Sequence, residues 1–174
     1  MFKKFVLSLV ASVALFGFVT ESVMAQSTQT YKVIVPTSVS IVAPSAVTIT
    51  HNETNDPQAF PAQAWTVKGN SVNGVNVSFA TTTPFVNSTD NTFKRNAKLD
   101  LAVGSTAGPA AWTVGVATDT TNYAGDDGIA QVTASSNGVG RASMNLTVSF
   151  IGGEFGEFAA GDYLTTVTGT IAAK

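Results

Sequence analysis

The residues after position 25 predict an all-β fold, built as an antiparallel two-sheet sandwich. Two observations carry that reading. No stretch there keeps apolar residues at i, i+3, i+4 and i+7 through three helical turns, whereas short alternating runs rich in Val, Thr, Ile and Phe recur to the end. Turn-forming clusters also punctuate the runs at regular intervals, with no helical stretches to cover a parallel sheet. A jelly roll or a closed barrel is the alternative arrangement of the same strands.

Taken in order, the chain opens with Lys3 and Lys4, runs through an apolar stretch from Phe5 to Val19, and reaches Val23-Met24-Ala25 before Gln26. A charged start, a short greasy core and slim residues at the −3 and −1 positions are the pattern of a secretory signal helix, with cleavage expected between Ala25 and Gln26. The apolar run is too short to span a bilayer comfortably. Residues 1–25 are therefore read as a signal peptide and residues 26–174 as one β-sandwich domain, exported to the periplasm, the cell surface or the medium.

The expected strands lie near Tyr31–Val35, Ser38–Val42, Ala46–Thr50, Ala64–Lys68, Gly74–Ala80, Lys98–Val103, Ala111–Ala117, Ile129–Ala134, Ala142–Phe150 and Tyr163–Ala172. Between them fall Pro36, Pro44, Asn55-Asp56-Pro57, Gly69-Asn70, Thr83-Pro84, Gly108-Pro109, Asp126-Asp127-Gly128, Asn137-Gly138 and Gly152-Gly153. These residues either preset a turn dihedral or tolerate positive φ. The tetrapeptide Ala-Trp-Thr-Val occurs at Ala64–Val67 and again at Ala111–Val114, as equivalent strands in two halves of a sandwich would read.

Composition narrows function more than any motif does. The chain has no cysteine, so its stability rests on burial and strand pairing, and neither thiol catalysis nor a cysteine metal site is open to it. Removal of the signal leaves seven basic and ten acidic residues, a balance unsuited to displacing counterions from nucleic acid. His51 is the sole histidine, and no G-x-S-x-G or H-E-x-x-H motif occurs. Asp100, Glu154 and Glu157 are the acids a glycosidase pair would draw on. Asp100 should point to solvent from an alternating run, and the other two sit in a glycine-rich loop. The expectation is a non-enzyme with no cofactor and no resident metal. Clustered loop oxygens at Asp119, Asp126 and Asp127, or at Asn52, Glu53 and Asp56, are the calcium alternative, without the spacing of an EF-hand.

Two classes of role remain. One is a structural or adhesive cell-surface protein that pairs strand edges with itself or with other surface proteins, in a fimbria, coat or matrix. Its donor would be the β-prone Tyr31-Lys32-Val33-Ile34-Val35, which follows Gln26-Ser27-Thr28-Gln29-Thr30. The other is a carbohydrate-binding module that stacks polysaccharide on Trp65, Trp112, Tyr123 or Tyr163.

The last segment, Gly161-Asp162-Tyr163-Leu164-Thr165-Thr166-Val167-Thr168-Gly169-Thr170-Ile171, resembles the closing strand of secreted bacterial sandwiches of the fimbrial-subunit and spore-coat-U type. Gly161 stands fourteenth from the C-terminus, with Val167 and Ile171 apolar after it, as in chaperone-usher pilins. The resemblance implies an immunoglobulin-like sandwich whose terminal strand runs from Gly161 and Tyr163 through Val167 and Ile171. The penultimate Ala173, where pilins carry an aromatic residue, and the lack of a cysteine pair depart from that pattern.

Overall fold

The computed structural model describes residues 24–174; the expected signal peptide lies outside the described residues apart from Met24 and Ala25, which are exposed and not helical. Two units are distinguished, one ending at Ile34 and one running from Val35 to Lys174. In the first, the described residues Met24–Ile34 form no strand and are exposed.

The second unit is an antiparallel β-sandwich. Its strands are β1 (Val39–Val42), β2 (Gln58–Ala59), β3 (Gln63–Gly69), β4 (Val75–Thr81), β5 (Phe85–Asn87), β6 (Lys94–Arg95), β7 (Ala97–Ala107), β8 (Trp112–Val116), β9 (Thr118–Thr120), β10 (Ala130–Ser136), β11 (Gly140–Phe150), β12 (Tyr163–Leu164) and β13 (Val167–Ala173). One sheet runs β1-β3-β11-β7-β9, with β2 also on β11; the other runs β13-β4-β10-β8. A small third sheet, β12-β5-β6, completes the unit.

Period-two burial explains why these residues pair as they do. In β4, Val75, Val77, Phe79 and Thr81 are buried, and in β10 Ala130, Val132, Ala134 and Ser136 are. From the facing sheet come Trp65 and Val67, Leu99 and Leu101, and Ala142, Met144 and Leu146. Side chains on alternate residues thus meet between the sheets, while their neighbours face water. Each fully buried Leu, Val or Phe contributes about 1.5–3 kcal/mol relative to exposure, so the central strands β3, β4, β7, β10 and β11 hold the fold together. A second cluster of Phe85, Ala97 and Phe150 packs with Phe60, Val148, Phe158 and Tyr163.

Several expectations change. Tyr31–Val35 and Ala46–Thr50 form no strand, and the expected run from Tyr163 to Ala172 is two strands, not one. Tyr163 pairs with Asn87 of β5 and joins the second cluster, whereas Val167 begins a separate pairing with Thr81 of β4. The two Ala-Trp-Thr-Val segments are not equivalent: β3 lies inside the first sheet, between β1 and β11, and β8 is the edge of the second. Asp100 does point outward, between buried Leu99 and Leu101, and pairs with Lys98 at 3.0 Å.

Candidate functional site

The feature that stands out is the free side of β13. All seven of its residues pair with β4, from Val167 opposite Thr81 to Ala173 opposite Val75. Beyond β13 that sheet has no further strand among the described residues. Neither a charge nor a proline interrupts Val167-Thr-Gly-Thr-Ile-Ala-Ala173, which has a ladder partner on one side among the described residues, with β1 of the other sheet packed close by.

The other edges are blunted. β1 is four residues long, between Pro36 and Pro44; β6 consists of Lys94 and Arg95; β9 carries Asp119. β8 is uncharged, but its pairing with β10 shifts register at Thr133/Ala134. Short length, charge and bulges are the usual means by which an edge avoids pairing with another chain. β13 has none of them.

Local geometry holds β13 in place as a rigid template. Before its first residue, the Thr165 hydroxyl donates to the Thr83 carbonyl at 2.9 Å. Past its last, Lys174 N–H donates to the Gly74 carbonyl at 2.9 Å, Ser71 Oγ donates to the Lys174 carbonyl, and Lys174 Nζ donates to the Ser136 carbonyl. Val167 and Ile171 face inward against the core, together with Val39 and Ile41 of β1, and are half-buried. Gly169 lies between them, where an added Cβ would come 2.7 Å from Ile41 Cδ1 and 2.8 Å from Trp65 Cζ3. On the opposite face Thr168, Thr170 and Ala172 are exposed. A shallow open trough of about 410 Å3 runs over this face, lined in part by Asn76, Ser78, Thr133, Ser135 and Thr170, with no charged residue in its lining.

Tyr31, Val33, Ile34 and Val35 are 82, 87, 75 and 76 % exposed. The single hydrogen bond recorded for their side chains is from Tyr31 Oη to Gln29 Oε1. Four large apolar or aromatic side chains within five residues are thus exposed and lie in no strand.

The other sequence-derived residues fall elsewhere. Trp65 is a core ring, 9 % exposed and set edge-on to Phe79 at 5.2 Å, so it cannot serve as a sugar platform. Trp112 is half-buried against the same core, with Nε1 enclosed and without a partner, and Tyr123 is partly exposed in the 3-10 turn Tyr123–Gly125. No flat platform unites them. Gly161 has φ +137° beside Asn87, and the Tyr163 hydroxyl donates to the Ala159 carbonyl. Asp119 accepts from the backbone N–H groups of Thr120 and Gln131, and Asp127 from Ile129, so these carboxylates act as turn caps. Among the described residues no three His, Asp or Glu side chains gather as metal ligands, and no helix is long and apolar enough to cross a membrane.

Sequence reasoning missed the second aromatic cluster and the small sheet beside it, because their strands are two or three residues long. In comparison with known proteins, the chain matches no family model, no curated protein and no solved structure. The sandwich class therefore rests on the chain's own strands and registers.

Proposed function

We propose that the chain is an exported structural or adhesive cell-surface protein that assembles by β-strand pairing, with β13 accepting the Tyr31–Val35 segment of a second copy. The observation that carries this reading is the seven-residue, charge-free and proline-free open edge of β13. Support comes from the unpartnered segment that precedes the sandwich, whose Tyr, Val and Ile residues are strong strand formers once a neighbour is present. Main-chain hydrogen bonds would supply affinity, and alternate side chains of the donor would supply register.

Deletion of residues 26–35 tests the idea. Size-exclusion chromatography and negative-stain microscopy should show assemblies for the unaltered protein and monomers for the deletion. Unchanged assembly after the deletion removes the donor role of this segment. A Val33→Asp variant gives a second arm, since a charge placed in the donor should weaken pairing while leaving the sandwich intact.

A further inference from the structure

We propose that Gln26, once signal cleavage has freed its α-amine, closes on its own side chain to a pyroglutamyl lactam, so that the mature chain begins with a blocked and uncharged residue. The inference rests on the export reading, because cleavage between Ala25 and Gln26 is what makes this glutamine N-terminal. Two observations carry it. The small residue at −1 is followed directly by glutamine, the amino acid whose side chain sets a carboxamide carbon where a five-membered ring can close on the α-amine. The stretch that has to be cut and then fold back on itself is also accessible: Met24 is 90 % exposed, and Ala25 through Thr30 are exposed and lie in no helix, strand or turn.

Ring closure needs no group from elsewhere in the protein. The α-amine lone pair of Gln26 attacks its own Cδ; the N–Cδ bond forms, the Cδ–Nε2 bond breaks, and Nε2 leaves as ammonia with a proton taken from the amine. One amide replaces another, so nothing is oxidised or reduced and no co-reactant is consumed. An α-amine has an ordinary pKa of about 7.7–8.0, so a neutral, nucleophilic fraction is present at neutral pH. Ser27 and Thr28 follow with small side chains, and no proline restricts the approach. Among the described residues the hydrogen bond within Gln26–Val35 is the one from Tyr31 Oη to Gln29 Oε1, which leaves the Gln26 carboxamide uncommitted in the cleaved chain.

The lactam changes the end of the segment that precedes the sandwich. It removes a terminal charge, after which Lys32 is the only charged residue from Gln26 to Val35. It also denies aminopeptidases the free amine that they grip. Without that block, an exposed and strandless stretch is trimmed residue by residue toward Tyr31, since chain ends of this kind are where proteolysis concentrates. Preservation of residues 26–35 is what the strand-pairing proposal requires, but the chemistry at Gln26 does not depend on pairing.

Mass spectrometry of the intact mature protein, recovered from an exporting host and held at neutral pH, tests the lactam without reference to assembly. The chain should begin at residue 26 and be lighter by one ammonia than its unmodified sequence. Stepwise degradation from the N-terminus should be blocked until pyroglutamyl aminopeptidase removes residue 26 and exposes Ser27. Gln26→Asn is the control, since it keeps a carboxamide but brings it one methylene closer and would have to close a strained four-membered ring. That variant should stay unblocked, focus at a higher isoelectric point and be shortened faster by a general aminopeptidase. An unblocked Gln26 at full mass, or a Gln26→Asn protein blocked to the same extent, overturns the proposal while the export reading stands. A mature chain that starts at any residue other than Gln26 overturns the proposal together with the cleavage site on which it rests. If Gln26 is blocked but residues 26–35 prove dispensable for assembly, the lactam stands and the strand-pairing proposal falls.

Discussion

Gly169→Ala probes how closely β13 is pressed onto the core. The backbone at Gly169 does not have positive φ, so alanine fits the dihedrals, and the unfolded-state term alone would favour it by about 0.4–1 kcal/mol. Packing opposes that gain. The new methyl would lie 2.7, 2.8 and 3.1 Å from Ile41 Cδ1, Trp65 Cζ3 and Trp65 Cε3. Carbon atoms settle at about 3.5–4.0 Å, so each of these contacts overlaps by several tenths of an ångström. Ile41 can swing its terminal methyl, because its side chain is half-buried. The Trp65 ring cannot move so easily, since it is buried and rests edge-on against Phe79. Overpacking of this kind costs about 1–3 kcal/mol, which outweighs the entropic gain. The expected net loss is about 1–2 kcal/mol, or a drop of a few degrees in Tm for a domain of this size. Gly156→Ala is the matched control, because nothing lies within 4 Å of a Cβ there, and it should leave stability unchanged or raise it by under about 1 kcal/mol. Urea denaturation followed by tryptophan fluorescence reads both variants. A Gly169→Ala protein as stable as the Gly156→Ala control would mean that β13 does not lie on Trp65 and Ile41, and the open edge would lose its location.

Other substitutions test the register and the turns. Val167→Asp should destabilise the fold by about 2 kcal/mol or more, since it sets an unpaired charge on the inward, half-buried face of β13, whereas exposed Thr168→Asp should stay within about 0.5 kcal/mol; the reverse order in urea would mean a one-residue slip. Asn87→Ala should cost about 2–3 kcal/mol by thermal denaturation, because its buried amide accepts from the N–H groups of Thr89 and Asp90 and donates to the Ala160 carbonyl, and an effect under 0.5 kcal/mol would refute that role. Asp90, fully exposed, has its carboxyl held below the usual value of 3.8 by hydrogen bonds from the Thr92 hydroxyl and backbone N–H, so its help to the turn is present above that value and disappears as pH falls through the lowered one. NMR titration should place the Asp90 midpoint below that of Asp90 in the Thr92→Ala variant, and equal midpoints would contradict the cause.

Much of the sandwich was legible because burial of one face imprints a period of two on the residues. The strands containing Trp65, Phe79, Leu99, Val132 and Met144 lie where alternation put them, within a few residues at each end. Composition without a partner misled at Tyr31–Val35 and Ala46–Thr50. Strand propensity measures the fit to a half-buried pleated surface, and nothing local says whether such a surface exists. Alternation likewise ran unbroken from Tyr163 to Ile171, although the chain passes from the small sheet to the β13-β4 sheet at Thr165 and Thr166. The surroundings of His51 were hidden for a different reason, since its ring partners Phe150 and Phe155 stand about a hundred residues away along the chain.

The site itself was half legible. The inward assignment of Val167 and Ile171 and the outward one of Thr168 and Thr170 match the burial pattern. The position of their strand in the sheet was not readable, because alternation looks the same with one neighbour or two. What the sequence does record is how a strand's edge is defended, and β6 and β9 carry the lysine, arginine and aspartate that edges use. β13 instead has the uncharged, proline-free sequence of a central strand, at an outer position. A central-strand sequence on a strand with one ladder partner is the mismatch on which the strand-pairing proposal rests.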